Sequence, residues 1–274
     1  MKMWAIVGMA AVLGGAAGAR AETVSLQENY PTNFIGLTSS LSVTTNLGGG
    51  NSRTVSIVGA YNWTVQSPGS ATFPFPQDIY TFCIQNFQMF EFGSTELYDV
   101  NRAVAGSPSG AADQGYIDAK AALQIQGLFD RHWNDAFLSN NNAAAFQLAI
   151  WEIEYDAGGT GDAKPASPEA LGSTSASDYF DKGVLTAIAG DSNGIAARDL
   201  AATWLGQLTD NNLPSSVTTL AALNNSTDPD HVQDQITRVA PVPVPAALPM
   251  GAMVMGGLAV ARAARRKWAS RGRR

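Results

Sequence analysis

The chain has 274 residues, with 17 basic and 23 acidic side chains, two histidines and one cysteine. The basic residues concentrate at the two ends, so that residues 22–240 carry about 8 basic against 23 acidic side chains. Such an acidic body repels nucleic acid and anionic membranes, and we expect no nucleic-acid partner. Its length is enough for one sizeable domain.

The first 21 residues have the pattern of a secretory signal peptide. Lys2 precedes a short apolar stretch, and Ala19 and Ala21 are the small residues of a cleavage site. We predict export and cleavage after Ala21. The alternative, an N-terminal membrane anchor, is disfavoured because the apolar stretch is short and polar sequence follows it directly.

Residues 22–108 have the pattern of β structure. Three segments are rich in β-branched and aromatic residues with partial alternation, at 33–45, 53–65 and 78–92. Clusters of Gly, Asn and Pro separate them, and no helical pattern intervenes, which favours an antiparallel sheet. We predict an α+β fold, in which an antiparallel β-sandwich or barrel-like sheet carries an inserted helical subdomain.

The inserted helical subdomain is predicted over residues 109–210. Four helices are expected within it, at 111–138, 140–156, 177–190 and 195–210. Asn142 is the expected N-cap of the second helix, and Gly190 is expected to end the third. A final strand within 231–239 is predicted to return to the sheet.

The sequence lacks the motifs of common enzymes and metal sites. His132 and His231 form no metal-type cluster, and no nucleophile elbow, phosphate loop or dinucleotide motif is present. We therefore expect no metal, no cofactor and no enzyme activity. A cysteine hydrolase with His132 as its base stays open as an alternative, although no motif places an orienting Asp or Asn beside it. His132 itself is expected to face solvent.

Cys83 is the single cysteine of a chain that we expect to be exported. Exported proteins normally pair their cysteines, and a lone cysteine cannot form a disulfide within the chain. One interpretation is a buried thiol that acts as a small hydrophobe. The other is attack on a glutamine carboxamide, which would expel ammonia and leave an internal thioester, provided that the fold holds both groups in contact and excludes water.

Two short motifs carry a resemblance to a known family. The segments FCI (82–84) and FQLAIWEI (146–153) resemble those of the Cys-Gln thioester domains of bacterial surface adhesins. In that family an aromatic-Cys-aliphatic strand precedes a helix that begins Thr-Gln-x-Ala-Ile-Trp. The second motif matches in register at Gln147, Ala149, Ile150 and Trp151. Phe146 stands where Thr is usual.

The resemblance implies a thioester between Cys83 and Gln147. Trp151 lies one helical turn beyond Gln147, on the same face, and is expected to shield the carboxamide from water. Phe82 is the second supporting residue, whereas Glu152 and Glu154 are expected on a solvated face. In the family, the thioester transfers the glutamine acyl group once to an amine or hydroxyl on a target surface.

Residues 241–274 combine a Pro-rich linker, an apolar run and a basic cluster. They resemble bacterial PEP-CTERM sorting signals, and are most similar to the Val-Pro-Leu-Pro-Ala variant, although the Pro-Glu-Pro core of the main class is absent. The motif residues are Val242, Pro243, Val244, Pro245 and Ala246. The resemblance implies a transmembrane helix in the inner membrane, processing by an exosortase-like enzyme, and then a cell-surface or extracellular location. A plain single-span anchor is the alternative.

Two functions from different classes remain. The first is covalent attachment through the thioester to a protein amine or a polysaccharide hydroxyl, as in adhesion or matrix anchoring. The second is a non-reactive structural or carbohydrate-binding protein of an extracellular matrix or biofilm, in which Cys83 is a buried free thiol. The intact mass of the protein distinguishes them, because the thioester lacks one ammonia.

Overall fold

The computed structural model describes ten stretches of the chain: 22–29, 34–48, 51–67, 75–86, 93–101, 104–105, 117–157, 175–181, 183–225 and 233–239. The predicted signal peptide, the sorting tail and His231 lie outside these residues. Within the stretches, no helix is both long and apolar enough to cross a membrane.

The described residues contain eight strands and four α-helices. The strands are β1 (Glu22–Glu28), β2 (Ile35–Gly48), β3 (Asn51–Ser67), β4 (Asp78–Cys83), β5 (Thr95–Asn101), β6 (Leu185–Ala189), β7 (Leu220–Asn224) and β8 (Gln235–Arg238). The helices are α1 (Ala119–His132), α2 (Asn140–Glu152), α3 (Ala176–Phe180) and α4 (Ser192–Gly206). Two short 3₁₀ helices (Asp135–Phe137, Asp210–Asn212) and a π-helical turn (Ile153–Ala157) join them.

Six of the described strands close on themselves. They pair in the order β1, β5, β7, β8, β4 and β3, and β3 pairs with β1 again. The long strand β3 also pairs with β2, and β2 pairs with β6, so that two strands extend the sheet beyond the ring. Each of these pairings is antiparallel. The predicted α+β fold with an antiparallel, barrel-like sheet is therefore confirmed.

Helix α2 is the buried centre of the helical part. Its residues from Ala143 to Glu152 are all buried, and it packs against β2, β3 and α4. A helix that is mostly apolar and buried on every side is typical of a protein core. Gln147 lies in the middle of this helix, so its carboxamide must find partners inside the protein.

The predicted N-cap of the second helix is wrong by three residues. Ser139 caps α2, because its backbone is extended and its hydroxyl accepts the N–H of Asn142. Asn142 is already inside the first turn, and its side-chain amide donates to the carbonyl of Asp135. Serine and asparagine are comparable as caps, so the propensities alone could not choose between the two positions.

The predicted third helix over 177–190 is also wrong. α3 ends at Phe180, Gly183 has a φ of +91°, and the following residues form β6 against β2. Both oxygens of the buried Asp156 accept backbone N–H groups at the start of this strand, from Val184 and Leu185. Cross-strand pairing and this carboxylate together override a weak helical pattern.

Gly190 does not end a helix. It precedes Asp191, whose carboxylate accepts the N–H groups of Asn193 and Gly194 and so begins α4 at Ser192, three residues earlier than predicted. A further difference is β7, which no sequence pattern predicted because its Leu-Ala-Ala-Leu core favours a helix. Pairing with β5 and β8 makes this segment a strand. The predicted return strand is present as β8.

Candidate functional site

Cys83 is the last residue of β4, at a position where the strand is paired inside the closed sheet. It lies opposite Gln235 of β8, and the next residue, Ile84, continues the pairing by donating its N–H to the carbonyl of Asp234. Cys83 is 2% exposed. Its position is therefore fixed by the backbone on both sides, and bulk water does not reach the sulfur.

The carboxamide of Gln147 bonds to the main chain of Cys83 at both of its ends. Oε1 accepts the N–H of Cys83 at 2.8 Å, and Nε2 donates to the carbonyl of Cys83 at 2.8 Å. Gln147 is fully buried. The two residues implied by the family resemblance thus lie against each other, although they are 64 positions apart in the sequence.

The surroundings of Cys83 favour the neutral thiol. Burial raises the pKa of the thiol well above its ordinary value, and the nearby carboxylate of Glu154 raises it further. Hydrogen bonds from the side chains of Gln235 and Tyr61 lower the pKa, but by less than burial raises it. A nucleophilic thiolate is therefore a minor species here, and its formation must be coupled to proton transfer.

Gln235 is a site residue that the sequence analysis missed. Its Nε2 lies 3.6 Å from the sulfur of Cys83, within the range of a hydrogen bond to sulfur. The residue faces Cys83 because of the register between β4 and β8, and no single-strand pattern specifies that register. The only signal in the sequence was a glutamine inside an otherwise β-like segment.

The two predicted supporting residues have different surroundings. Trp151 is buried one turn beyond Gln147, and its indole N–H has no hydrogen-bond partner in the described part of the structure. Phe82 belongs to an aromatic cluster, with ring centroids 4.7 Å from Phe146 and 6.4 Å from Phe129. Phe146, at the position where the resembled family has Thr, therefore packs in this cluster beside the strand that carries Cys83.

Glu152 and Glu154 are not on a solvated face. Both are buried, and Glu154 is fully inaccessible. The π-helical turn that begins at Ile153 has a wider turn than an α-helix, so the faces predicted from a 3.6-residue period no longer apply beyond it. Glu154 consequently lies close enough to affect the Cys83 thiol, which no pattern in the sequence indicated.

His132 is also buried, contrary to its expected solvent-facing position. Its ring stacks on Trp204, with centroids 4.7 Å apart, and its two nitrogens contact Asp135 and Gln207. Both nitrogens are thus occupied by groups other than Cys83, and the geometry gives no support to the cysteine hydrolase alternative. Among the described residues, no group of three or more His, Cys, Asp or Glu side chains could hold a metal ion.

Comparisons with known proteins do not assign the chain to a family. No protein-family model and no curated protein matches the sequence. Among solved structures, the chain is similar to the N-terminal domain of the Streptococcus pyogenes pilus tip adhesin Cpa, with 15% identity and a TM-score of 0.39. This similarity covers 75% of the present chain and 95% of the other. A TM-score of 0.39 carries no argument about function, so function has to be argued from the geometry of the site.

Proposed function

We propose that this chain is an exported surface protein that forms an internal thioester between Cys83 and Gln147 and uses it for covalent attachment. One observation carries the proposal. The oxygen and the nitrogen of the Gln147 carboxamide both form hydrogen bonds with the main chain of Cys83, the residue that bears the thiol. Proximity of this kind replaces an encounter in solution and supplies much of the free energy needed to reach the transition state.

Formation of the thioester is a balanced exchange of two bonds. The sulfur of Cys83 attacks the carboxamide carbon of Gln147, the S–H and C–N bonds break, and S–C and N–H bonds form as ammonia leaves. Negative charge develops on Oε1 during the attack. The N–H of Cys83, already 2.8 Å from this oxygen, is positioned to stabilise that charge.

Attachment reverses the roles of the two groups. An amine on the target attacks the same carbonyl carbon, an amide forms, and the sulfur leaves to become the Cys83 thiol again. A hydroxyl would give an ester in the same way. The reaction occurs once per molecule, so the protein would act as a single-use attachment device and not as an enzyme. Burial of both residues protects the thioester from hydrolysis until a target arrives.

The proposal extends to the ends of the chain. Residues 1–21 would direct export, and residues 241–274 would hold the protein in the inner membrane until an exosortase-like enzyme processes it. The body would then act at the cell surface or outside the cell, where its acidic character keeps it soluble. The partner would be a protein amine or a polysaccharide hydroxyl on the target surface.

Methylamine labelling tests the proposed chemistry. The protein recovered from cells that express the full chain is incubated with methylamine, digested and mapped by tandem mass spectrometry. We expect methylamine on Gln147 and a newly released thiol on Cys83, with neither change in Cys83→Ala. Failure of Gln147 to incorporate the amine, in protein that has not been exposed to another nucleophile, would contradict the proposal.

The alternative of a non-reactive matrix protein has one observation in its favour. Burial keeps the Cys83 thiol protonated, which is also the expected state of a thiol that only fills space in the core. In that case Gln147 would be a buried amide whose role is to hydrogen-bond the N–H and the carbonyl of Cys83 at the end of β4. The protein would then keep its full mass, and its thiol would react with iodoacetamide only after unfolding.

A further inference from the structure

A chain of buried hydrogen bonds ends on the sulfur of Cys83. The indole Nε1 of Trp63 donates to Oγ1 of Thr81 at 2.7 Å, and the hydroxyl of Thr81 donates to Oε1 of Gln235 at 2.8 Å. Nε2 of Gln235 then approaches the Cys83 sulfur at 3.6 Å. The chain crosses three neighbouring strands, β3, β4 and β8, so the closed sheet holds its members in register.

The direction of this chain is indicated by the groups at its two ends. An indole N–H can only donate, so the oxygen of Thr81 accepts it, and the hydroxyl hydrogen of Thr81 is donated to Gln235. The carboxamide oxygen of Gln235 therefore faces Thr81, and its amino group faces the sulfur. The same amino group also contacts the carbonyl of Gln233 at 3.3 Å, which agrees with a donor at that end. The orientation of the amide thus follows from its partners and is not an arbitrary choice.

Bulk solvent does not reach these contacts. Trp63, Thr81 and Gln235 are all fully buried. In such surroundings a hydrogen bond to a charged atom is stronger than at a surface, and its loss is not compensated by solvent. The other groups that affect the sulfur are the carboxylate of Glu154, which disfavours the thiolate, and the hydroxyl of Tyr61, which favours it.

We propose that Gln235 is a positioning residue that holds the sulfur of Cys83 and stabilises its thiolate, with Thr81 and Trp63 fixing its orientation. The part of this inference that concerns the thioester reaction rests on the proposed function. The thiolate occurs twice in that reaction, as the attacking group when the thioester forms and as the leaving group when a target amine opens it. One N–H donor serves both steps.

The two buried glutamines around Cys83 therefore have different roles. The amino group of Gln235 points at the sulfur, so the sulfur lies toward the nitrogen end of that amide. Attack on an amide carbon comes from above the amide plane, and an N–H···S contact does not provide that approach. Gln147, whose oxygen is held by the Cys83 N–H, is the acyl donor, and Gln235 stays intact.

Two measurements on Gln235→Met test the role. Methionine keeps the length of the side chain and removes the donor. We expect the rate of methylamine incorporation to fall between about tenfold and a hundredfold, the range for loss of a hydrogen bond to a charged group. The second measurement is the S–H stretching band in the Raman spectrum of a Gln147→Met protein, where the only thiol in the chain is free whether or not a thioester forms normally. Adding Gln235→Met should shift this band.

Threonine variants supply a matched control and a second route if Gln235→Met does not fold. Thr81→Val removes the hydroxyl that orients Gln235 and should slow incorporation and shift the S–H band, whereas Thr81→Ser should restore both. Thr237, on the neighbouring strand β8, is also a buried threonine, and its hydroxyl donates to the carbonyl of Tyr80. Thr237→Val should therefore lower stability without moving the band or the rate.

The outcomes separate this inference from the proposed function. Absence of a thioester in the wild-type protein would contradict the proposed function, while the S–H band would still report on Gln235. A normal rate together with an unmoved band in both Gln235→Met and Thr81→Val would overturn the inference alone. Methylamine found on Gln235 instead of Gln147 would also overturn it, because Gln235 would then be the acyl donor.

Discussion

The carboxamide of Gln147 makes both of its hydrogen bonds with one residue: it accepts the N–H of Cys83 and donates to the carbonyl of Cys83. This pairing fixes the amide relative to the backbone of Cys83, and so fixes the oxygen that would gain charge in the proposed attack by sulfur. The stabilising donor is a backbone N–H, which remains in Cys83→Ala. That variant removes the nucleophile and leaves the other contacts of the carboxamide possible, which makes it the appropriate negative control.

Asp234, next to Gln235, makes stability depend on pH. Burial raises the pKa of its carboxyl group from the ordinary 3.8 to about 6, although Asn225 and Asn224 donate hydrogen bonds to it. The folded state then binds this proton more tightly than the unfolded state. We expect the free energy of unfolding to fall by roughly 2–3 kcal/mol as the pH rises from about 4 to about 6.

Urea unfolding of Asp234→Asn measures this contribution. The variant has no proton to lose, so the fall in stability between pH 4 and pH 6 should become shallower. Asp191 is a useful comparison, because backbone N–H groups lower the pKa of its carboxyl group and its contribution is lost as the pH falls through the acid range. Asp191→Asn should leave the slope above about pH 5 unchanged, because the Asp191 carboxyl is then ionised in both the folded and the unfolded state. An unaltered slope in Asp234→Asn would show that another group is responsible.

At the scale of elements, the sequence predictions succeeded where a segment's structure depends on its local pattern. They failed where it depends on pairing with distant strands. Helix α2 was predicted because its pattern is local, and so was the β character of the first strands. β6 and β7 were mistaken or missed because each becomes a strand only by pairing with partners far along the chain. Gln235 was missed for the same reason, since only the pairing of β4 with β8 brings it to Cys83.

The start of α2 provides a test of the corrected N-cap. Ser139→Ala removes the hydroxyl that accepts the Asn142 N–H, and we expect a loss of about 1 kcal/mol in the free energy of unfolding. Ser139→Asp should retain most of the stability, because aspartate is an equally good cap. Asn140→Ala, at the next position, should be nearly neutral. A larger loss in Asn140→Ala than in Ser139→Ala would contradict the assignment.

At the scale of the whole molecule, the candidate bond would connect two distant parts of the chain. Cys83 lies in the closed sheet and Gln147 in the central helix, 64 residues apart. A covalent link over such a loop restricts the unfolded chain in the same way as a disulfide, with a predicted gain of about 4 kcal/mol. The thioester would therefore contribute to stability until it reacts.

Thermal unfolding before and after methylamine treatment tests this consequence. Opening the thioester removes the link without changing the sequence, so the melting temperature of the wild-type protein should fall. Cys83→Ala contains no link and should melt at the same temperature with or without the amine. A wild-type melting temperature that does not respond to methylamine would show that no such link exists in the folded protein.

Some of the predictions made from the sequence concern the two ends of the chain. A signal peptide and a sorting tail were predicted from composition and short motifs, and both segments lie outside the described residues. The acidic character of the body was predicted from its composition. The pairing of Cys83 with Gln147 was predicted from two short motifs that resemble those of a known family. The sequence could not indicate the surroundings that govern the thiol, because Glu154, Tyr61 and Gln235 meet Cys83 only in the folded chain.

The intact mass of the purified wild-type protein, measured beside Cys83→Ala and Gln147→Glu, tests the central claim most directly. The account predicts that the wild-type protein is lighter by about 17 Da, one ammonia, than the mass calculated for the same processed chain, and that both variants have their full calculated mass. A wild-type protein of full mass, with a thiol that is alkylated only after unfolding, would contradict the thioester and leave Cys83 as a buried core residue.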